Sequence, residues 1–166
     1  MSYIIWILVN VLLVLAISMY IWIFRIEDTR LLMLGQVLAQ ISLLLFIINL
    51  NMYFIFLVIR KTKVRKVKII LAKLSRRMMK GHISIAIFGA ILIIFHGEIM
   101  LLKLGASIGY THSKIITGEI AILFLVITLF AGYLRHKKSS GRRRKFHFLS
   151  AFLFLIMVLL HMLMKV

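Results

Sequence analysis

The sequence predicts an all-α integral membrane protein, a helical bundle of five transmembrane helices. Of the 166 residues, 63% are apolar, yet Lys and Arg number 22 against 4 Asp and Glu. A soluble domain contains about 45–50% apolar residues, so the excess indicates a lipid environment. Pro and Cys are absent and the apolar runs are continuous, which favours uninterrupted helices over an alternating β-barrel pattern.

Five apolar segments form the predicted spans. Each is close to or longer than the ~20 residues that cross a bilayer core. The first is too long for a cleavable signal peptide, so we expect it to be retained. In chain order the segments cover residues 3–24, 31–59, 83–102, 115–134 and 146–164.

Basic residues concentrate in two connecting segments, with ten in residues 60–80 and seven in residues 135–145. Five spans put both segments on one side, and the positive-inside rule makes that side cytoplasmic. We therefore expect a multi-pass protein of the cytoplasmic membrane, with its N-terminus inside and its C-terminus outside.

Residues 60–80 are predicted to be a basic cytoplasmic loop. This loop either lies on the inner leaflet as an amphipathic helix or docks an acidic partner. Lipid headgroups explain the charge better than nucleic acid does.

Four of the six histidines form two pairs with equal spacing. His82 and His96 lie fourteen positions apart in the third span, and His147 and His161 have the same separation in the fifth. Fourteen positions make almost four helical turns, so each pair shares one helix face over a rise of ~21 Å. Facing imidazoles from two such helices suit bis-histidine haem iron. The other interpretation is that the histidines are hydrogen-bonded packing residues.

Other polar and small residues have weaker assignments. Gly89 lies midway between His82 and His96, where it leaves room for a haem edge or for close helix packing. Basic candidates for haem propionates on the inner side include Arg77 and Arg144. The remaining propionate candidates are Arg76, Lys80 and Lys145 on the inner side and Lys103, Lys114 and His112 on the outer side.

Two further groups of polar residues have two interpretations each. Glu98 and Glu119, together with His112, mark an outer substrate or proton site, or else simply reach the interface. The amides of the second span line a quinone pocket or make interhelical hydrogen bonds. These amides are Gln36, Gln40, Asn49 and Asn51.

Short motifs surround both histidine pairs. Around the first pair the sequence reads RRMMKGH at Arg76–His82 and HG at His96–Gly97. Around the second it reads TLFAGYLR at Thr128–Arg135 and RRRKFH at Arg142–His147, followed by His161. These residues resemble the transmembrane domain of the ferric reductase family, which includes the membrane part of NADPH oxidases.

The resemblance covers roughly residues 76–164. It implies two b-type haems, with His82 and His147 as ligands of the inner haem and His96 and His161 as ligands of the outer one. It also implies electron transfer from the cytoplasmic to the outer face. Full-length family members continue into flavin and nicotinamide domains, which we do not expect here. The expected donor is therefore a separate cytoplasmic reductase or a membrane quinol.

Together these observations predict a diheme b-type cytochrome with oxidoreductase activity. Its electrons reach an outer acceptor such as ferric iron, dioxygen or a redox protein. The alternative is a haem-binding membrane anchor or sensor subunit without electron-transfer activity of its own. The expected cofactors are two haem b groups and a quinone. The sequence assigns no catalytic residue and leaves the oligomeric state open.

Overall fold

The computed structural model describes residues 29–165 continuously, and within the preceding segment only the five helical positions 12, 15, 16, 19 and 23. The predicted first span therefore lies outside the continuously described residues. The described part contains four long helices and no strand. They are α1 (Arg30–Lys61), α2 (Arg65–Met100), α3 (Ser113–Lys137) and α4 (Gly141–Leu163).

All four helices are long and apolar enough to cross a membrane, which confirms the prediction of an all-helical, multi-pass membrane protein. Side-chain caps fix where three of them begin. The Thr29 and Ser140 hydroxyls accept hydrogen bonds from backbone N–H groups at the starts of α1 and α4, and the His112 ring accepts one from Lys114 at the start of α3. Such caps satisfy N–H groups that have no partner within the helix.

Helix α2 is much longer than the span predicted within it. Its 36 residues extend over about 54 Å, whereas a bilayer core is about 30 Å thick. The basic segment predicted as a loop is helical from Arg65 onward and continues into the apolar part of α2 without a break. After Met100 the helix passes through a π-helical turn at Leu101–Gly105 and a short turn at Ala106–Ile108. The following loop turns at Gly109, whose φ of 92° favours glycine.

Helices α1 and α2 form an antiparallel hairpin with a seven-residue register. The Ser42 hydroxyl donates to the carbonyl oxygen of Gly89 at 2.8 Å, and the Asn49 amide donates to that of His82 at 3.3 Å. The His96 ring reaches the carbonyl oxygen of Gly35 at 2.9 Å. Each contact lies seven residues from the next on both helices, as expected where two helices keep one seam in contact.

Helices α3 and α4 form a second antiparallel hairpin. The Arg143 guanidinium donates to the carbonyl oxygen of Leu134 at 2.8 Å, which satisfies a carbonyl group near the C-terminal end of α3. At the opposite end of the bundle, Leu32, Leu104 and Ile115 form a buried apolar cluster. We call the end that carries the turns of both hairpins the basic end, and the end that carries this cluster the far end.

The two hairpins approach each other less closely than the helices within each hairpin do. Aromatic side chains bridge α1 and α4. Phe46 and Phe154 meet edge to face with centroids 4.8 Å apart, and the Tyr53 and Phe148 centroids are 4.5 Å apart. The wider spacing between hairpins leaves room for cavities in the interior of the bundle.

Candidate functional site

The four predicted histidines meet in two pairs between the hairpins. The ring centroids of His82 and His147 are 6.2 Å apart at the basic end, with the ring planes at 89°. Those of His96 and His161 are 6.4 Å apart at the far end, with the planes at 77°. In each pair one ring comes from α2 and the other from α4. The structure therefore brings together, across the two helices, the rings that the resemblance assigns to one haem each, and the two ring pairs lie at levels about 21 Å apart along the helices.

Backbone carbonyl groups orient three of the four rings. The Nδ1 of His96 donates to Gly35 at 2.9 Å, that of His147 to Thr128 at 3.2 Å and that of His161 to Lys114 at 3.0 Å. A carbonyl oxygen can only accept, so Nδ1 carries the proton in each ring. This tautomer leaves Nε2 with a free lone pair, as in histidines that bind metal ions.

His82 differs from the other three histidines. Its Nδ1 is buried and has no hydrogen-bond partner. Its backbone carbonyl accepts from the Asn49 side chain, so α1 anchors the backbone at this position and leaves the ring unanchored. A buried, unpaired ring nitrogen is costly in a folded protein. The basic-end pair is therefore less firmly oriented than the far-end pair.

Two glycines of α3 let it approach the histidines of α4. A Cβ at Gly118 would lie 3.1 Å from Cε1 and 3.3 Å from Nδ1 of His161. A Cβ at Gly132 would lie 3.3 Å from Cε1 of His147. Because both contacts are tighter than normal packing, any larger residue would push against the ring. Gly118 and Gly132 have the same separation in sequence as the two histidines they contact, and this match is a sequence signal that the prediction missed.

Each histidine pair opens into a cavity. The cavity at the basic end has a volume of about 820 Å³ and the one at the far end about 720 Å³. Both volumes fall within the range of about 300–1,000 Å³ that is typical of cofactor and ligand sites. Phe46 and Phe154 line both cavities and so lie between them.

The ring separations match those of two axial ligands. With a metal–nitrogen distance of about 2.0 Å and about 1.2 Å from nitrogen to ring centre, imidazoles on opposite sides of one metal ion have centroids about 6.4 Å apart. Among the described residues no group of three or more His, Cys, Asp or Glu side chains converges on one point. A porphyrin brings its own four nitrogen ligands and needs only the two imidazoles that each pair supplies.

The other residues predicted for the cofactor lie in different environments. Arg144 lines the basic-end cavity, whereas Arg77 is exposed on α2 and does not line it. Arg135, which the sequence analysis did not single out, lines the same cavity. Gly89 borders this cavity too, but a Cβ there would meet Ser42 and Leu45 of α1 at ordinary packing distances. Close packing against α1 is thus the contact that the structure gives Gly89.

Polar residues predicted for the outer side gather at the far end. Glu98, Glu119 and Lys114 line the far-end cavity, and the Lys114 ammonium donates to the carbonyl oxygen of Met164 at 2.6 Å. His112 caps α3 and does not line this cavity.

The amides of α1 divide between the two interpretations given to them. Gln36 lines the far-end cavity. Asn49 makes the interhelical bond to His82, and Asn51 donates within its own helix to Ile47. Asn49 also lines the basic-end cavity. Thus two of these amides border a cavity suited to a ligand, and the Asn49 and Asn51 amide groups stabilise the helices.

Comparison of the chain with known protein families, curated proteins and solved structures finds no match. The resemblance to the ferric reductase domain therefore stays a prediction, carried by the motifs around the histidines.

Replacing Gly118 tests the close approach of α3 to His161. We expect Gly118→Ala to lower the free energy of unfolding in detergent micelles by about 1–3 kcal/mol, since an added methyl overpacks a filled site. Gly132→Ala should behave similarly at His147. The control is Gly81→Ala, where the nearest side-chain atom would lie at 3.5 Å. It should be neutral or stabilising by up to about 1 kcal/mol. If all three variants are equally stable, the result contradicts the close approach of α3 to His161 and His147.

Proposed function

We propose that the protein is a diheme b-type cytochrome that transfers electrons across a membrane. The observation that carries the proposal is the separation of the two imidazole pairs, 6.2 Å and 6.4 Å between ring centroids. Both values lie close to the ~6.4 Å expected for two axial ligands of one metal ion. In this proposal His82 and His147 hold one haem, and His96 and His161 hold the other.

Haem iron, when bound, supplies a reversible one-electron couple between its ferric and ferrous states. The chain's own contribution is to hold the ligands. Carbonyl groups of α1 and α3 fix the proton on Nδ1 of His96, His147 and His161, which leaves Nε2 to face the cofactor. Such partners commonly change metal affinity by about 10–100-fold when removed. Because they belong to the backbone, side-chain substitution does not remove them.

The apolar surroundings and nearby charges also suit this cofactor. Haem is apolar on its faces and carries two propionates at one edge, so its site needs an apolar cavity with cationic groups at one border. Arg135 and Arg144 provide such groups for the basic-end cavity, and Lys114 provides one for the far-end cavity. The Phe46–Phe154 pair adds an apolar aromatic contact between the two cavities.

The charge distribution supports the proposed orientation in the membrane, and the proposed direction of transfer is the one that the resemblance implies. Seventeen of the 22 basic residues lie in residues 60–80 and 135–145, at the basic end. The positive-inside rule places this end in the cytoplasm of a cell bounded by the cytoplasmic membrane. Electrons would then enter near His82 and His147 from a cytoplasmic reductase or a quinol. They would leave near His96 and His161 toward an outer acceptor such as ferric iron, dioxygen or a redox protein.

Single histidine variants test the ligand assignment. We expect His96→Ala and His147→Ala each to lower the α-band absorbance of the dithionite-reduced protein, per chain, to about half the parent value. Each variant removes one axial ligand from one of the two haems, and axial ligands hold the iron.

The matched control is His112→Asn, because Asn preserves helix capping and His112 does not line either cavity. It should keep the full absorbance. Helical circular dichroism checks that each variant folds. An unchanged α-band in His96→Ala, or a colourless parent protein from haem-replete cells, contradicts the assignment.

Transfer across the membrane separates a cytochrome from a haem-binding anchor or sensor. Ferricyanide is trapped inside vesicles that contain the haem-loaded protein, and dithionite is added outside. The trapped ferricyanide should be reduced at least tenfold faster than in vesicles that contain His161→Ala, in which the far-end site is lost. The absorbance of ferricyanide measures the rate. If the parent protein holds its haem and the trapped ferricyanide stays oxidised at the rate seen without protein, the chain is an anchor or sensor.

A further inference from the structure

The α1–α2 hairpin extends well beyond the α3–α4 hairpin at the basic end. Helix α2 begins at Arg65, nearly five turns before His82, whereas α4 begins at Gly141, fewer than two turns before His147. Since the two histidines share one level, the α1–α2 hairpin extends about 16 Å further. We call the part formed by residues 53–80 the projecting tip.

Charged residues indicate where the membrane ends. Centring the two histidine levels in a ~30 Å core puts its edge about 4–5 Å beyond His82 and His147. Arg135 lies three residues beyond Gly132, and Arg144 lies three residues before His147, so both arginines are at this depth. At the far end, Arg30 lies five residues before Gly35, about 7.5 Å along the helix, and so lies just outside the opposite edge of the core. The projecting tip therefore lies outside the hydrocarbon core, except for its base at Tyr53 and Lys80, which lies at the edge of the core.

One face of the tip is strongly basic. Six basic residues of α2 fall within about 120° of one another around the helix axis, and the buried residues Leu71 and Ser75 point the opposite way. All six are exposed. We call this set the basic face, and its members are Arg65, Lys66, Lys73, Arg76, Arg77 and Lys80. The sequence has no Asp or Glu between residues 29 and 97 to neutralise it.

The tip also exposes large apolar side chains. On α1, Phe56 is 38% exposed, and on α2, Ile69 and Ile70 are 48% and 65% exposed. Ile69 lies within the arc of the basic face and Ile70 at its border. Because Phe56 also lines the basic-end cavity, Ile69 and Ile70 are the apolar groups that accompany the basic face. Exposed apolar groups rimmed by charge are typical of surfaces that bind another protein.

A lipid surface reaches only part of the basic face. The headgroup layer adds about 5–8 Å beyond the hydrocarbon on each side. Arg77 falls within it and Lys80 lies just inside the hydrocarbon edge, but Arg65 lies about 25 Å beyond His82 along α2, which is about 13 Å past the headgroups. The helix would have to break near Lys80 to lie flat, and the structure has an unbroken helix there that packs against α1.

We propose that the projecting tip docks an acidic soluble protein that carries electrons in solution. The uncompensated positive charge defines the partner's charge, Ile69 and Ile70 supply apolar contact, and the height above the membrane suits a soluble partner. The choice of an electron carrier rests on the proposed function. The docking surface itself depends only on the charge, exposure and length of the hairpin.

The test measures binding of a plant-type [2Fe–2S] ferredoxin, an acidic soluble electron carrier, to the protein in nanodiscs of zwitterionic lipid. Binding should be detectable by interferometry at about 20 mM salt and should weaken at least tenfold at about 200 mM salt, because ions screen exposed charges. The triple variant Arg65→Glu, Lys66→Glu, Lys73→Glu should raise the Kd at least tenfold.

The matched control reverses three charges at the other hairpin, with Lys137→Glu, Lys138→Glu and Arg142→Glu. It makes the same change in net charge and should alter the Kd less than twofold. Helical circular dichroism checks that both variants fold. Equal weakening in the two triple variants overturns the proposal, because it means that net charge alone attracts the ferredoxin. Absence of ferredoxin binding to the parent protein overturns it as well.

A single spin label distinguishes a protein partner from the membrane. The chain has no cysteine, so Lys68→Cys gives one labelling site at the tip. In nanodiscs that contain anionic lipid, the label should stay accessible to a water-soluble nickel reagent. Contact with lipid at this position overturns the proposal in favour of membrane binding.

Neither the binding measurement nor the spin label detects haem. A haem-free protein that binds ferredoxin therefore contradicts the proposed function alone, and a haem-loaded protein that does not bind ferredoxin contradicts the docking surface alone.

Discussion

The structure depends on one constraint, the fixed register within each helical hairpin. In α1–α2 the contacts of Gly35, Ser42 and Asn49 repeat every seven residues. A single-residue slip would rotate every facing residue by about 100° and separate the rings from the carbonyl groups they contact. In α3–α4 the glycines at 118 and 132 meet the two histidines of α4 in the same way. The register therefore determines where all four imidazoles lie.

Lipid explains why small residues and backbone carbonyls dominate these contacts. Apolar side chains gain little by leaving lipid for each other, so membrane helices associate through close packing and hydrogen bonds. The glycines let a backbone come within reach of an imidazole, and the carbonyl then accepts the ring proton. Wherever a ring is oriented in this way, its other nitrogen is left free to face the cavity. Packing and site geometry thus come from the same contacts.

Several features of the fold and the site followed from the sequence. Continuous apolar runs were enough to place the last four spans, because hydropathy alone decides which segments enter lipid. The equal spacing of the histidines put His82 and His96 on one helix face and His147 and His161 on another, and the parallel direction of the two spans put His82 level with His147 and His96 level with His161. The pairing across hairpins in the structure agrees with both inferences.

Other features needed the tertiary structure. Hydropathy marks only the part of a helix that lies in lipid, so it could not show that α2 begins at Arg65. The spacing also could not show which ring lacks a partner, because a carbonyl group of a neighbouring helix reaches three of the rings and none reaches Nδ1 of His82. Arg135 was missed because one basic residue among seven in its segment gives no signal until the cavity is seen.

The central claim is that each imidazole pair holds one haem. The most direct measurement is a pyridine haemochrome assay on the purified parent protein, with the protein concentration determined by amino-acid analysis. Two haem b groups per chain are the result that the two pairs of rings predict. One haem per chain would mean that one pair is a packing contact only, and none in protein from haem-replete cells would contradict the account as a whole.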